Sequence, residues 1–207
     1  MSDKDFATLQ HELTELRTRV SQLEEEASEA EPLSTEWTSH YYLTYYATSG
    51  FFLGMLGAVT SLVLNIVGSL LVGQHPLQLI KVYLTFGLGE RALDPTLDGG
   101  MALAIGCCLY IATGMLLGVP FQIVLSRFAD QATPLKRLAI ASAFALAVWI
   151  VSYYLVIAWL QPWLFGGNWI VNLIPWWVAA LTHLVFGWTM ALAYPFGMYE
   201  PYRVRTE

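Results

Sequence analysis

Long apolar stretches alternate with short polar ones along most of this chain. Residues 51–73, 101–125, 138–160 and 170–194 contain no Asp, Glu, Lys or Arg. Each exceeds the roughly 20 apolar residues that a helix needs to cross a bilayer core. The pattern predicts four membrane-spanning helices. Between the first two lies a weaker segment, residues 76–93. His75-Pro76 opens it, Leu77, Ile80, Val82, Leu84 and Phe86 follow, and Gly87 and Gly89 close it. That length is too short to cross, so it predicts a helix at the outer interface or a half-span dipping in from it.

Upstream of the spans the period changes. Phe6, Leu9, Leu13, Leu16, Val20, Leu23 and Ala27 recur at alternating spacings of three and four. That is a heptad repeat, with Phe6, Leu13, Val20 and Ala27 at a and Leu9, Leu16 and Leu23 at d. Position g then holds Glu12 and Arg19, and the following e positions hold Arg17 and Glu24. In a parallel pair of such helices Glu12 meets Arg17 and Arg19 meets Glu24, both of opposite sign. The spacing predicts a coiled-coil-type helix whose partner is a second copy or a helix of another subunit. A single amphipathic helix folded onto the cytoplasmic face satisfies the apolar stripe but not the charge pairing.

The fold class that follows is an all-α integral membrane protein. It consists of a cytoplasmic acidic heptad helix and linker over residues 1–36, a four-helix membrane domain over 37–199, and a cytoplasmic tail over 200–207. Helices in lipid associate through close approach and hydrogen bonds rather than by escaping water. Gly57, Ser61, Asn65, Ser69 and Gly73 fall at every fourth residue of the first span. This small, polar stripe predicts a packing face, with Asn65 directed at another helix. Gly114 and Gly118 in the second span, Ala139, Ala143 and Ala147 in the third, and Gly187 and Ala191 in the fourth supply further small-residue faces. Pro120 removes a backbone bond from the second span and predicts a kink there. Pro175 falls near the start of the fourth span, where its missing N–H is tolerated.

Composition supports lipid as the solvent. Only 13% of residues are charged, against about 25% in an average soluble domain. The net charge of −6 belongs to the N-terminal segment: residues 1–36 carry three basic and ten acidic residues, which leaves the remainder at +1. A basic face for nucleic acid is absent. No basic, apolar leader pattern is visible in the first 36 residues. Arg127, Lys136, Arg137, Arg203 and Arg205 flank one side of the spans, and Lys81 and Arg91 the other. Basic residues accumulate in cytoplasmic loops, so both termini are expected in the cytoplasm of a bacterial-type inner membrane. Trp159, Trp163, Trp169, Trp176 and Trp177 mark the outer rim, and Tyr42, Tyr45, Tyr46, Tyr194 and Tyr199 the inner one.

Candidate chemistry is sparse. His183 is the only ionisable group at depth besides tyrosine and cysteine hydrogens, and Met115 lies at a similar depth in the second span. A His and a Met at matched depth can ligate a haem iron. The plainer reading is a neutral histidine bonded to Asn65, Ser61 or a backbone carbonyl, or one that lines a quinone or lipid pocket. Cys107 and Cys108 are adjacent and read as small packing residues. No catalytic triad, zinc signature, paired carboxylates or phosphate loop occurs. The expectation is therefore a non-catalytic accessory subunit of a larger membrane complex, with respiratory or photosynthetic electron transport as its setting. It would assemble through the small-residue faces and residues 6–27. A haem- or quinone-binding electron-transfer subunit and a small oligomeric transporter or channel stand as the other two readings.

Overall fold

The structure is a computed structural model that describes residues 3–29, 35–71, 73, 75–95 and 100–199. The chain divides into two units, Met1–Tyr41 and Tyr42–Glu207. The first contains α1 (Asp3–Glu29), a 27-residue helix. Leu13, Leu16, Val20 and Leu23 are each more than half exposed along it. Phe6, Leu9 and Ala27 belong to the same helix, and their side chains lie outside the described residues.

In the second unit every regular element among the described residues is helical. The elements are α2 (Thr35–Leu71), of which Tyr42–Leu71 belongs to this unit, α3 (Gln78–Leu88), α4 (Gly100–Phe128), α5 (Pro134–Ile150), α6 (Ala158–Phe165), α7 (Trp169–Leu173) and α8 (Trp176–Ala193). Four stretches are long and apolar enough to cross a membrane: Tyr42–Leu71, Gly100–Phe128, Pro134–Phe165 and Trp176–Gly197. The third is α5 and α6 joined without a break through a π-helical segment, Val151–Ile157, where the Ala158 N–H reaches back to the Tyr153 carbonyl. The fourth begins later than the uncharged run implies. Ile174 is extended, as the residue before a proline prefers, so α7 ends at Leu173 and Pro175 caps a separate α8. α4 continues through Pro120. Thr133 and Pro134 start α5 together: the Thr133 hydroxyl accepts the Lys136 N–H at 3.4 Å, and Pro134 occupies a position that needs no donor.

Helices α2 and α4 meet backbone to backbone. A Cβ on Gly118 would fall 2.1 Å from the Gly50 carbonyl oxygen and 2.6 Å from Gly54 Cα, and one on Gly114 would fall 2.4 Å from Ala58 Cβ. Only glycine permits this approach, which brings residues 50–58 of α2 into van der Waals contact with residues 114–118 of α4. Gly57 turns to α8 instead, where a Cβ would lie 2.8 Å from the Phe186 ring. Helices α5 and α8 pack through Ala141, Ala145 and Gly187. The alternative alanine stripe, Ala139, Ala143 and Ala147, is exposed. Alanine occupies every second position from 139 to 147, and the partner surface of Gly187 and Phe121 selects which set turns inward. Phe121 then fills the centre, edge-on to Phe144 at 4.7 Å and to Phe186 at 5.2 Å.

Short α3 is a wedge inside this unit. Its Ile80 and Leu84 join Leu62, Ala92 and Leu103, while Val82 joins Tyr153, Ile170, Ile174 and Ala179. Burial on both sides explains why it reads as continuously apolar at less than spanning length. Gln161, fully buried in α6, holds the same end together: its amide donates to Thr85 Oγ1 of α3 at 2.8 Å and its carbonyl accepts the Ile170 N–H of α7 at 2.9 Å. At the opposite end Tyr194 Oη donates to Asp130 Oδ1, Gln122 donates to the Gly197 carbonyl, and Tyr45 donates to that of Met198. These contacts set the four spans in alternating directions, with the α4–α5 turn beside the end of α8.

Candidate functional site

A cavity of about 160 Å³ lies in the membrane domain where α2, α3, α4, the π-helical segment, α7 and α8 converge. Three devices make room for it. The α3 wedge holds α4 away from α7. The π-helical segment places Ser152, Tyr153 and Ile157 on the cavity wall; π-turns inside α-helices recur at functional sites. The break at Ile174-Pro175 lets α7 and α8 cover it from different directions. Most of the wall is aliphatic or aromatic, and eight of the lining side chains carry polar atoms: Ser61, Tyr83, Tyr110, Thr113, Ser152, Tyr153, Thr182 and His183. Thr113 is exposed, so the cavity communicates with the outer surface of the bundle.

The polar groups are coupled in small sets. Ser61 Oγ lies 3.0 Å from the Ala58 carbonyl and 2.9 Å from Tyr110 Oη. Thr113 Oγ1 reaches the Leu109 carbonyl at 2.9 Å and is hydrogen-bonded to Tyr83 Oη. The Tyr83 and Tyr110 rings meet edge to face at 5.6 Å. His183 Nδ1 lies 2.8 Å from the Ala179 carbonyl, and its Nε2 faces Ser152 Oγ at 3.3 Å. Thr182 Oγ1 donates to the Val178 carbonyl at 2.8 Å and accepts from Asn65 Nδ2 at 3.0 Å. Burial pushes the Tyr83 hydroxyl above the usual phenol range, so it stays protonated and can donate.

His183 therefore belongs to the cavity, and Met115 does not line it: the Met115 backbone lies against Gly54 in the α2–α4 contact. The pair does not frame one space. The cavity matches the size known to hold a benzene ring and is too small for a porphyrin, so these residues do not fit a haem. Ser61 and Asn65 are buried, Asn65 also donating to the Ser61 carbonyl at 2.7 Å, while Ser69 is partly exposed and Gly73 lies beyond the end of α2. Cys107 and Cys108 are both free thiols, the second exposed. Among the described residues no group of three His, Cys, Asp or Glu side chains could hold a metal ion.

Tyr83, Tyr110, Ser152 and Thr182 were not singled out by sequence pattern. One signal points to two of the cavity's hydroxyls: a hydroxyl in a lipid-facing stretch must find a partner within the protein, and Tyr110 and Thr113 are the hydroxyl residues of the otherwise apolar run 101–125.

The fold defines a polytopic, all-helical membrane protein with a small internal cavity. No protein-family model, no characterised protein and no solved structure matches the chain.

Proposed function

We propose that the chain is a non-catalytic subunit of a larger membrane complex, in which α1 pairs with α1 of a second copy and the membrane domain contacts other subunits. The carrying observation is the exposed heptad stripe. Leu13, Leu16, Val20 and Leu23 stand more than half exposed on a formed helix whose other described side chains are polar. A contiguous apolar face of this kind marks a contact surface. The choice of a second copy rests on charge: Glu12 and Arg17, and Arg19 and Glu24, are complementary at g and e when the same sequence lies in parallel.

The outer rim supports contact with other subunits. Trp159 and Trp163 stack with ring centroids 5.9 Å apart, and both are well exposed, as are Trp176 and Trp177. Tryptophan is a preferred anchor in protein contacts. The positive-inside bias of the basic residues supports a cytoplasmic α1, in a bacterial-type inner membrane, with the tryptophan rim on the far side. The test is purification in mild detergent from native membranes. Other polypeptides should accompany two copies of the chain, and a chain that runs alone or only as a homodimer overturns the proposal.

A further inference from the structure

We propose that the cavity beside His183 binds the aryl hydroxyl head of a lipid-soluble small molecule, a phenol-type ring whose O–H is donated to His183 Nε2. The argument is an accounting of protons. A backbone carbonyl can only accept, and each hydroxyl has one proton. Ser61 donates its proton to the Ala58 carbonyl, so Tyr110 is the donor in the 2.9 Å contact with Ser61. Thr113 donates to the Leu109 carbonyl, so Tyr83 is the donor to Thr113. Thr182 donates to the Val178 carbonyl and Tyr153 to that of Ile174, with the Val171 carbonyl also within reach.

His183 follows the same logic. Its Nδ1 faces the Ala179 carbonyl at 2.8 Å and carries the ring proton, which leaves Nε2 with a lone pair. Ser152 alone competes for that lone pair, at 3.3 Å, and it has an alternative acceptor in the Trp149 carbonyl at 3.4 Å. The side-chain donors around the cavity are thus committed within the protein. What remains towards the space is acceptor capacity, at His183 Nε2, Tyr83 Oη and Tyr110 Oη. A ligand that only accepts, such as an ether, ketone or quinone, finds no free donor. A ligand that donates finds an acceptor in His183 Nε2, which a single serine rotation releases.

Size and access complete the match. A volume of about 160 Å³ holds one six-membered ring, and the tyrosine and phenylalanine walls suit an aromatic face. The opening at Thr113 lets an apolar tail continue into the surrounding lipid.

Phenol and anisole test the proposal, because they share the ring and differ in the O–H. The full chain in lipid nanodiscs, with empty discs as the reference, should bind phenol saturably and at least about tenfold more tightly than anisole. With ¹⁵N-labelled histidine, phenol should move the His183 Nε2 resonance and anisole should not. His183→Phe and Ser152→Leu each fill the space and should abolish saturable phenol binding, whereas Ser152→Ala, which removes the rival donor, should retain it. Equal binding of anisole, an unmoved Nε2 resonance at saturating phenol, or phenol binding that survives Ser152→Leu would each overturn the assignment. The ¹⁵N measurement uses the unmodified protein and decides the matter even where a variant fails to fold.

Discussion

Tyr194 Oη donates a 2.9 Å hydrogen bond to Asp130 Oδ1, which ties the end of the last membrane helix to the turn between α4 and α5. The Arg137 guanidinium sits over the same ring, 4.6 Å from its centroid. One fully buried tyrosine thereby joins three segments through an edge hydroxyl and a face. Tyr194→Phe keeps the face and loses the hydroxyl. It should cost about 1 kcal/mol, the worth of a typical hydrogen bond, because Asp130 is exposed and can turn to water. Tyr194→Leu removes both contacts and a large buried ring and should cost about 3 kcal/mol or more. Thermal unfolding in detergent with the two variants side by side checks the order.

The α2–α4 crossing makes a sharper prediction. Gly118→Ala puts a methyl 2.1 Å from the Gly50 carbonyl oxygen, and neither backbone can move without parting two spans. Overpacking of this kind costs about 1–3 kcal/mol, so the melting temperature should fall by several degrees. Gly68 lies on α2 with nothing within 4 Å of its Cβ position. Gly68→Ala should leave stability unchanged or slightly raised.

Asn65 and Thr182 offer a pair for a double-mutant cycle. Asn65 Nδ2 lies 3.0 Å from Thr182 Oγ1. Polar pairs between membrane helices contribute about 0.6 kcal/mol on average. Asn65→Leu and Thr182→Val should each destabilise, and the double variant should lose less than the two losses added together. Strict additivity would mean that the two side chains do not act on one another.

Gln161 bridges α3 and α7 from α6, and its loss strands the Ile170 N–H in a buried place. Gln161→Leu should cost about 1–3 kcal/mol. Hydrogen exchange should show faster exchange at the Ile170 amide while the amides at the α4–α5 end remain as protected as before.

Much of this arrangement is legible along the chain because lipid is a demanding solvent. An uncharged run of more than about 20 residues suits a spanning helix rather than a shorter barrel strand, so the uncharged runs locate four apolar helices, and Gly114 and Gly118 reveal a close approach that no larger residue allows. What depends on partners is less visible. Alanine at 139, 141, 143, 145 and 147 offers two faces, and the surface of Gly187 and Phe121 opposite decides between them. The start of the last span shifts to Trp176 because Pro175 acts on the residue before it, a local rule hidden within an unbroken apolar run. The cavity is hidden further still. It exists because α3, the π-helical segment and α7 meet, and neither Tyr83 nor Ser152 carries a mark of that meeting.

Self-pairing of α1 within a larger complex is read most plainly by native mass spectrometry of the chain purified from its own membranes. Such pairing predicts two copies of the chain bound to other polypeptides. It also predicts that Leu16→Lys, which places a charge on the exposed stripe at d, still inserts in the membrane and reduces the assembly to one copy. A chain found alone or as a bare homodimer, or an assembly that Leu16→Lys leaves intact, would contradict it.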